Sequence, residues 1–421
     1  MKRTPMKVMT AGTVAAALLL SGCSTKASDD SGGGSDGDLK TDFGVTDDEI
    51  TLLELSDLSG VFKVISLAFT NGTKVWADEV NDAGGICGRD IKLEIQDTNY
   101  KVENAVPLYE QHKDDALGQI NLGGSHILAA LKQKVENENM LTVPASWASV
   151  NLETDAVMMV GQTYDVETIN GLAYLQEEGL IADGDKVGHI YVDSEYGQNG
   201  LMGSKAYAKD HDITVVEAPI SASDTDLTAT VTKLKSAGVT AIAITTPPAA
   251  LGSAAVQNVQ QGLEVPIIGN NPSYAPNLLE DEGVAKALEH FYMSSSVVPF
   301  GTGNDKADEV LAAAQELAPD DEPNIGIING YTWGLAWQAV LEKACDNGDM
   351  TREGVVSAKN EVDSVESEGL TGALDFTVPG APSSREAYIV VADGEKPGGL
   401  ATAKDLFSSP EAEAYKAPAQ K

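Results

Sequence analysis

From residue 45 the chain alternates short aliphatic and β-branched runs with longer stretches whose apolar positions recur every three or four residues. EITLLEL, IKLEIQD, GQINLGG and LTVPASW read as strands. Between the first two, Ala68, Gly72, Val75, Trp76, Val80 and Ala83 share a helical face, and Gly84-Gly85 supplies a stop. KVENAVPLYEQHKDD, with a proline inside, and SHILAALKQKVENEN read as helices. The rhythm resumes after Gly161. DVETINGLAYLQEEG (capped by Asp165), GQNGLMGSKAYAKDH, DLTATVTKLKSAG (capped by Asp226), PPAALGSAAVQNVQQG and APNLLEDEGVAKALEH are helical, and KVGHIYVD, ITVVEAPI, TAIAITT and VPIIGNN are strands. NIGIINGYTWGLAWQAVLEKACDNGD and TREGVVSAKNEVDSV, opened by Thr351, then predict two helices, and TGALDFTVPG and EAYIVVAD two late strands. Such alternation predicts parallel sheets covered by helices on both faces. About ten strands exceed one mononucleotide-binding unit, so an α/β protein of two doubly wound parallel-sheet lobes is expected.

The first 22 residues follow a different pattern. Lys2, Arg3 and Lys7 precede an apolar run from Val8 to Leu20, too short for a comfortable span, and then come Ser21, Gly22 and Cys23. LSGC resembles a bacterial lipobox. That implies cleavage before Cys23, lipid on its sulfur, and an extracytoplasmic protein anchored to the outer face of the bacterial cell membrane. Residues 23–44 are rich in Ser, Gly and Asp and predict a flexible tether, with an r.m.s. reach of roughly 25 Å.

The net charge of −36 argues against a nucleic-acid partner, whose phosphates need a basic surface. No HExxH helix, GxSxG elbow, Walker loop or CxxC pair occurs, and the five histidines (112, 126, 189, 211, 290) are scattered, so neither metal, cofactor nor enzymatic activity is expected. With 64 carboxylates, most form a solvated face.

In open α/β sheets ligands bind beyond the carboxyl ends of strands. Gly123, Gly124, Ser125 and His126 stand between a strand and a helix, where backbone N–H groups suit an anion. Ser125 either adds a hydroxyl to that site or caps its helix. Ala145, Ser146 and Trp147 end another strand, with Trp147 as ligand wall or core. Asp193, Glu195, Tyr196, Asn270, Asn271 and Tyr274 end strands of the second lobe. This is a recognition set without a nucleophile and its base.

The order and spacing of DLSGVFKVISLAFTNGTKVWADEVNDAGGICGRDIKLEIQD, NLGGSHILAALKQKVENENMLTVPAS, DSEYGQNG and GLTGALDFTVPG resemble the substrate-binding lipoproteins of ABC transporters for branched-chain amino acids (leucine, isoleucine, valine). The resemblance runs from about residue 45 to 392. It implies the type I periplasmic-binding-protein fold, a Venus-flytrap of two lobes joined by three crossings near residues 162, 295 and 376. Residues 45–162 plus 296–376 form the N-terminal lobe, and 163–295 plus 377–421 the C-terminal lobe. It further implies capture of a small polar or amino-acid-like ligand, hinge closure, delivery by a monomer to membrane permease subunits, and no reaction. A ligand-sensing receptor module of the same fold, or an enzyme outside the known motifs, are the alternatives.

In that family the ligand carboxylate is held by the region matching Gly124 and Ser125. The amine is met by groups matching Ala145 and Trp147 and by an acidic residue at the end of IIGNN. Here Asn270 and Asn271 occupy that end, Trp147 replaces a threonine-like position, and a tyrosine-like contact falls at Ile65. Glu195 could supply the missing charge, and an amide, urea-like or aromatic ligand is as open as leucine. The family topology also returns the helix ending at Cys345 to the lobe carrying Cys87. This implies a Cys87–Cys345 disulfide, with two independent buried thiols as the alternative.

Overall fold

A computed structural model describes residues 39–420; the leader, Cys23 and most of the expected tether lie outside the described residues. Two sheets organise the chain. The first has four parallel strands in the order Asp90–Asp97, Glu49–Ser56, Gly118–Gly123, Thr142–Ala145. Helices cover both of its faces, so Gly118–Gly123 is buried at every position. The second has seven strands in the order Leu400–Phe407, Ala387–Ala392, Phe291–Ser295, Ile267–Asn270, Ala241–Thr245, Lys186–Val192, Thr214–Ile220. Its last five are parallel, whereas Ala387–Ala392 pairs antiparallel with both Phe291–Ser295 and Leu400–Phe407. The parallel-sheet lobes are as expected, and the antiparallel hairpin is an addition at one edge of the second. The short 393–399 connection permits a hairpin, while a parallel return needs a crossover of about a dozen residues or more.

Other local expectations also change. TGALDFTVPG contributes only an isolated bridge, Thr371 to Val297. Strands Phe291–Ser295 and Leu400–Phe407 and helix Asp305–Leu317 were not anticipated. APNLLEDEGVAKALEH breaks into short turns around Glu282–Ala287, with Asp281 accepting from the Gly283 and Val284 amides. Asp165 and Asp226 sit beside the helix starts, whose N-cap positions are Thr163 and Leu227. Thr351 does cap its helix, accepting from Gly354 N–H at 3.1 Å. Within the stretch read as tether, Lys40–Thr41 pairs in parallel with Asp349–Met350, and the Arg352 guanidinium lies over the Phe43 ring.

After strand Phe291–Ser295 of the second sheet the chain returns, and helix Gly326–Asp346 packs on helix Lys63–Asp82. Their backbones touch: a Cβ on Gly72 would fall 2.0 Å from the Ile327 carbonyl oxygen, and one on Gly330 2.0 Å from that of Phe69. The same helix ends at Cys345, which is disulfide-bonded to Cys87 across a Cα–Cα distance of 6.2 Å.

Near the expected crossings the chain segments bind one another. Gly161 N–H donates to Ser383 Oγ (2.9 Å), Gln162 N–H to Ser296 Oγ (3.4 Å), Thr371 Oγ1 to the Ser296 carbonyl (2.7 Å), and Ser384 N–H to the Gly161 carbonyl (3.3 Å). Gly161 has φ +96°, and a Cβ there would press on Ser296.

Candidate functional site

Strand order reverses between Asp90–Asp97 and Gly118–Gly123 in the first sheet, and between Thr214–Ile220 and Ala241–Thr245 in the second. Such switch points open crevices at the carboxyl ends of strands. Loops from both crevices line a cavity with about 420 Å³ of empty space, part of it open to solvent. Gly124, Ser125, Ala145, Trp147 and Tyr196, all anticipated, line it. Asp57, Phe62, Ser66, Phe69, Tyr100, Tyr164 and Pro272 were not anticipated, and Ile65 entered only as the place of a family contact.

One side of the cavity is built by helix Ser125–Asn137. Gly124 precedes it at φ +105°, a conformation suited to glycine, and turns the chain so that the helix start meets the cavity. The Gly124 carbonyl accepts from the Ile127 and Leu128 amides. Among the described residues the Ser125 and His126 amides have no protein acceptor, as expected for the first turn of a helix. Ser146 Oγ donates to Ser125 Oγ at 2.7 Å, and Asn151 Nδ2 stands 3.5 Å behind Ser146 Oγ. This chain supplies the Ser125 oxygen with its hydrogen and turns the Ser125 hydroxyl toward the Tyr164 phenol on the cavity wall. Ser125 therefore presents a hydroxyl donor beside two free amides.

The aromatic walls interlock. Trp147 meets Phe69 (6.0 Å between centroids), Tyr164 (5.8 Å) and Trp333 (6.0 Å); Tyr164 meets Tyr196 (4.7 Å); Phe62 meets Tyr100 (4.9 Å). Tyr100 sits at φ +56°, a strained value for a bulky residue, held by a His126 nitrogen 3.1 Å from its carbonyl oxygen. His126 thus backs Tyr100 and faces the outer mouth of the cleft, not the inner cavity. Burial pushes the Tyr164 and Tyr196 phenols well up, so they stay neutral.

Acceptors that could meet an ammonium already have donors. The Ala145 carbonyl accepts from Gly124 N–H (3.5 Å) and the Trp147 carbonyl from Tyr164 N–H (2.9 Å). Asp57, the one ionisable carboxylate on the wall, accepts from the Gly60 (2.6 Å) and Phe62 (2.9 Å) amides. Asn270 Oδ1 accepts from Tyr196 Oη (2.9 Å), and Asn271 Nδ2 donates to Asn329 Oδ1 (3.1 Å). Glu195 is exposed and Tyr274 is turned away, its hydroxyl on the Gly399 carbonyl at 2.8 Å. Behind the asparagines lies Glu167, fully buried, with Oε2 lacking a hydrogen-bond partner among the described residues. Burial pushes its carboxyl well above the ordinary range, against the opposing pull of the Asn271 amide and the Asn270 side chain. The second lobe thus keeps a carboxyl near the expected place, but off the cavity wall and driven toward its neutral form.

A family model described as periplasmic binding protein matches residues 49–397. The chain belongs to the periplasmic binding protein family. Among solved structures, this periplasmic binding protein is similar to a fatty acid ABC transporter substrate-binding protein from Thermomonospora curvata, with 33% identity over 91% of this chain and 98% of that one, TM-score 0.87. A branched-chain amino acid ABC transporter protein from Thermus thermophilus with bound valine shares 16% identity over 88% and 99%, TM-score 0.75. A leucine-binding protein from Thermotoga maritima shares 16% over 85% and 99%, TM-score 0.72. None of the curated proteins matches the sequence. The chain is an extracytoplasmic, solute-binding component of an ABC transporter, with the type I fold of the leucine/isoleucine/valine-binding proteins. No helix among the described residues is long and apolar enough to cross a membrane, and none of their His, Cys, Asp and Glu side chains form a metal-binding cluster.

Proposed function

We propose that this protein captures a monocarboxylic acid with an apolar body and no ammonium group, and passes it to a permease by hinge closure. The observation that carries the ligand class is an asymmetry of the cavity. Two unpartnered amides gather at the Ser125 helix start, while each acceptor an ammonium would use already accepts at least one hydrogen bond inside the protein. The relative from Thermomonospora curvata, named for fatty acid, supports the same class. In this reading Gly124, Ser125 and the His126 amide hold the carboxylate, Ser146 orients Ser125, and Trp147 and Tyr196 wall the apolar body. Asn270 orients Tyr196, Asn271 ties the lobes through Asn329, and Tyr274 anchors its loop.

The lobes are 45–162 plus 296–376 and 163–295 plus 377–421, and the hydrogen-bonded segments near Gly161, Ser296 and Ser383 form the hinge. The protein acts as a monomer, and the ligand leaves unchanged. Titration calorimetry with hexanoate and with leucine tests the ligand class: hexanoate should bind and leucine should not. Leucine binding as tightly as hexanoate would restore the amino-acid reading. Lipid on Cys23 holds the protein at the membrane. Cys23→Ala should release most of it into the soluble fraction; continued membrane retention would remove the anchor.

A further inference from the structure

A second hollow opens beside the ligand cavity and shares Phe62 and Ile65 with it. It holds about 900 Å³ of empty space, part of it open to solvent. One wall is Val61 and Val64, at the start of the first helix; the opposite wall includes Pro247 and Pro248 of the second lobe. Val61 is 53% exposed and Val64 40%, two of the six large hydrophobic side chains exposed among the described residues. No ionisable side chain lines this hollow, on a chain that carries 28 basic and 64 acidic residues. Exposed apolar side chains gathered in one uncharged groove mark a binding surface. It adjoins the cavity across Phe62 and Ile65, which line both, and this adjacency says what enters it.

We propose that this groove seats the alkyl tail of the acid whose carboxylate lies at Ser125, so that the protein selects for chain length. The inference rests on the monocarboxylate reading above and extends it. Because the groove walls come from both lobes, each methylene seated there also favours the closed form. Affinity should rise about fourfold for each methylene that enters the groove.

The test is calorimetric titration of the full mature protein with straight-chain acids from butanoate to dodecanoate, repeated on the double variant Val61→Asn, Val64→Asn. Both positions are solvent-exposed, so the variant should fold, and its thermal melting curve checks this. The expected result is an affinity that climbs with chain length in the wild type and a flattened climb in the variant, with butanoate binding unchanged. Short acids binding with no gain from added methylenes would overturn the groove and leave the monocarboxylate reading standing. So would a climb that the double variant does not alter. Failure of every acid to bind would overturn both.

Discussion

Ser125→Asp should weaken binding of the carboxylate ligand at least a hundredfold, about 3 kcal/mol. The substitution removes a hydroxyl donor and puts a negative charge against the ligand's own. It should not harm the fold, because an acidic residue at the first position of helix Ser125–Asn137 complements the helix dipole. Ser125→Ala removes only the hydroxyl donor and leaves the Ser125 and His126 amides, so its loss should be about tenfold. Calorimetry reads both variants, and thermal melting shows that each is folded. If Ser125→Asp bound hexanoate like the wild type, the Gly124–Ser125 turn would not be the carboxylate site.

Removing the disulfide, as Cys87→Ser with Cys345→Ser, should lower the unfolding free energy by about 3–5 kcal/mol. The bond closes a loop between positions 258 residues apart, and the chain-entropy argument places most of the effect on the unfolded chain. In the folded state it fastens the end of helix Gly326–Asp346 to the turn after helix Lys63–Asp82, two elements already in backbone contact through Gly72 and Gly330. Guanidinium unfolding of the wild type and the double variant measures the difference; equal midpoints would mean the glycine seam alone holds the returning helix. Thiol titration of Cys23→Ala protein, denatured without reductant, should find no free thiol.

Much of the site was readable because ligand loops follow buried strands. The apolar runs ending at Gly123, Ala145, Val192 and Asn270 locate those loops, and residues just beyond all four line the cavity. Phe62 and Ser66 were hidden at the start of an apparently ordinary amphipathic helix. Tyr100 lies in a polar stretch after a strand, and its role depends on a backbone turn at positive φ that no periodicity reports. Glu167 looked like one of many surface carboxylates; only the packing of its helix against the second sheet buries it. TGALDFTVPG failed as a strand because its pairing stops at one bridge, Thr371 to Val297, where Thr371 also bonds to the Ser296 carbonyl at the crossing. Leu400–Phe407 escaped notice because only its partner, Ala387–Ala392, gives it strand hydrogen bonds.

What the sequence by itself determined is local or periodic: the α/β alternation, the two-lobe organisation, the glycine–serine helix start, and a topology that brings Cys87 and Cys345 into one lobe. Each follows from side-chain spacing, backbone conformational preference or the ordered motifs of a fold family. Only the tertiary structure decided which polar atoms face the cavity. Ala145, Trp147, Asp57 and Asn270 all carry acceptors, but close packing places donors against those acceptors and leaves the Ser125 and His126 amides free. A hydrogen bond depends on distance and direction between groups far apart in the chain, so ligand class is written in three dimensions.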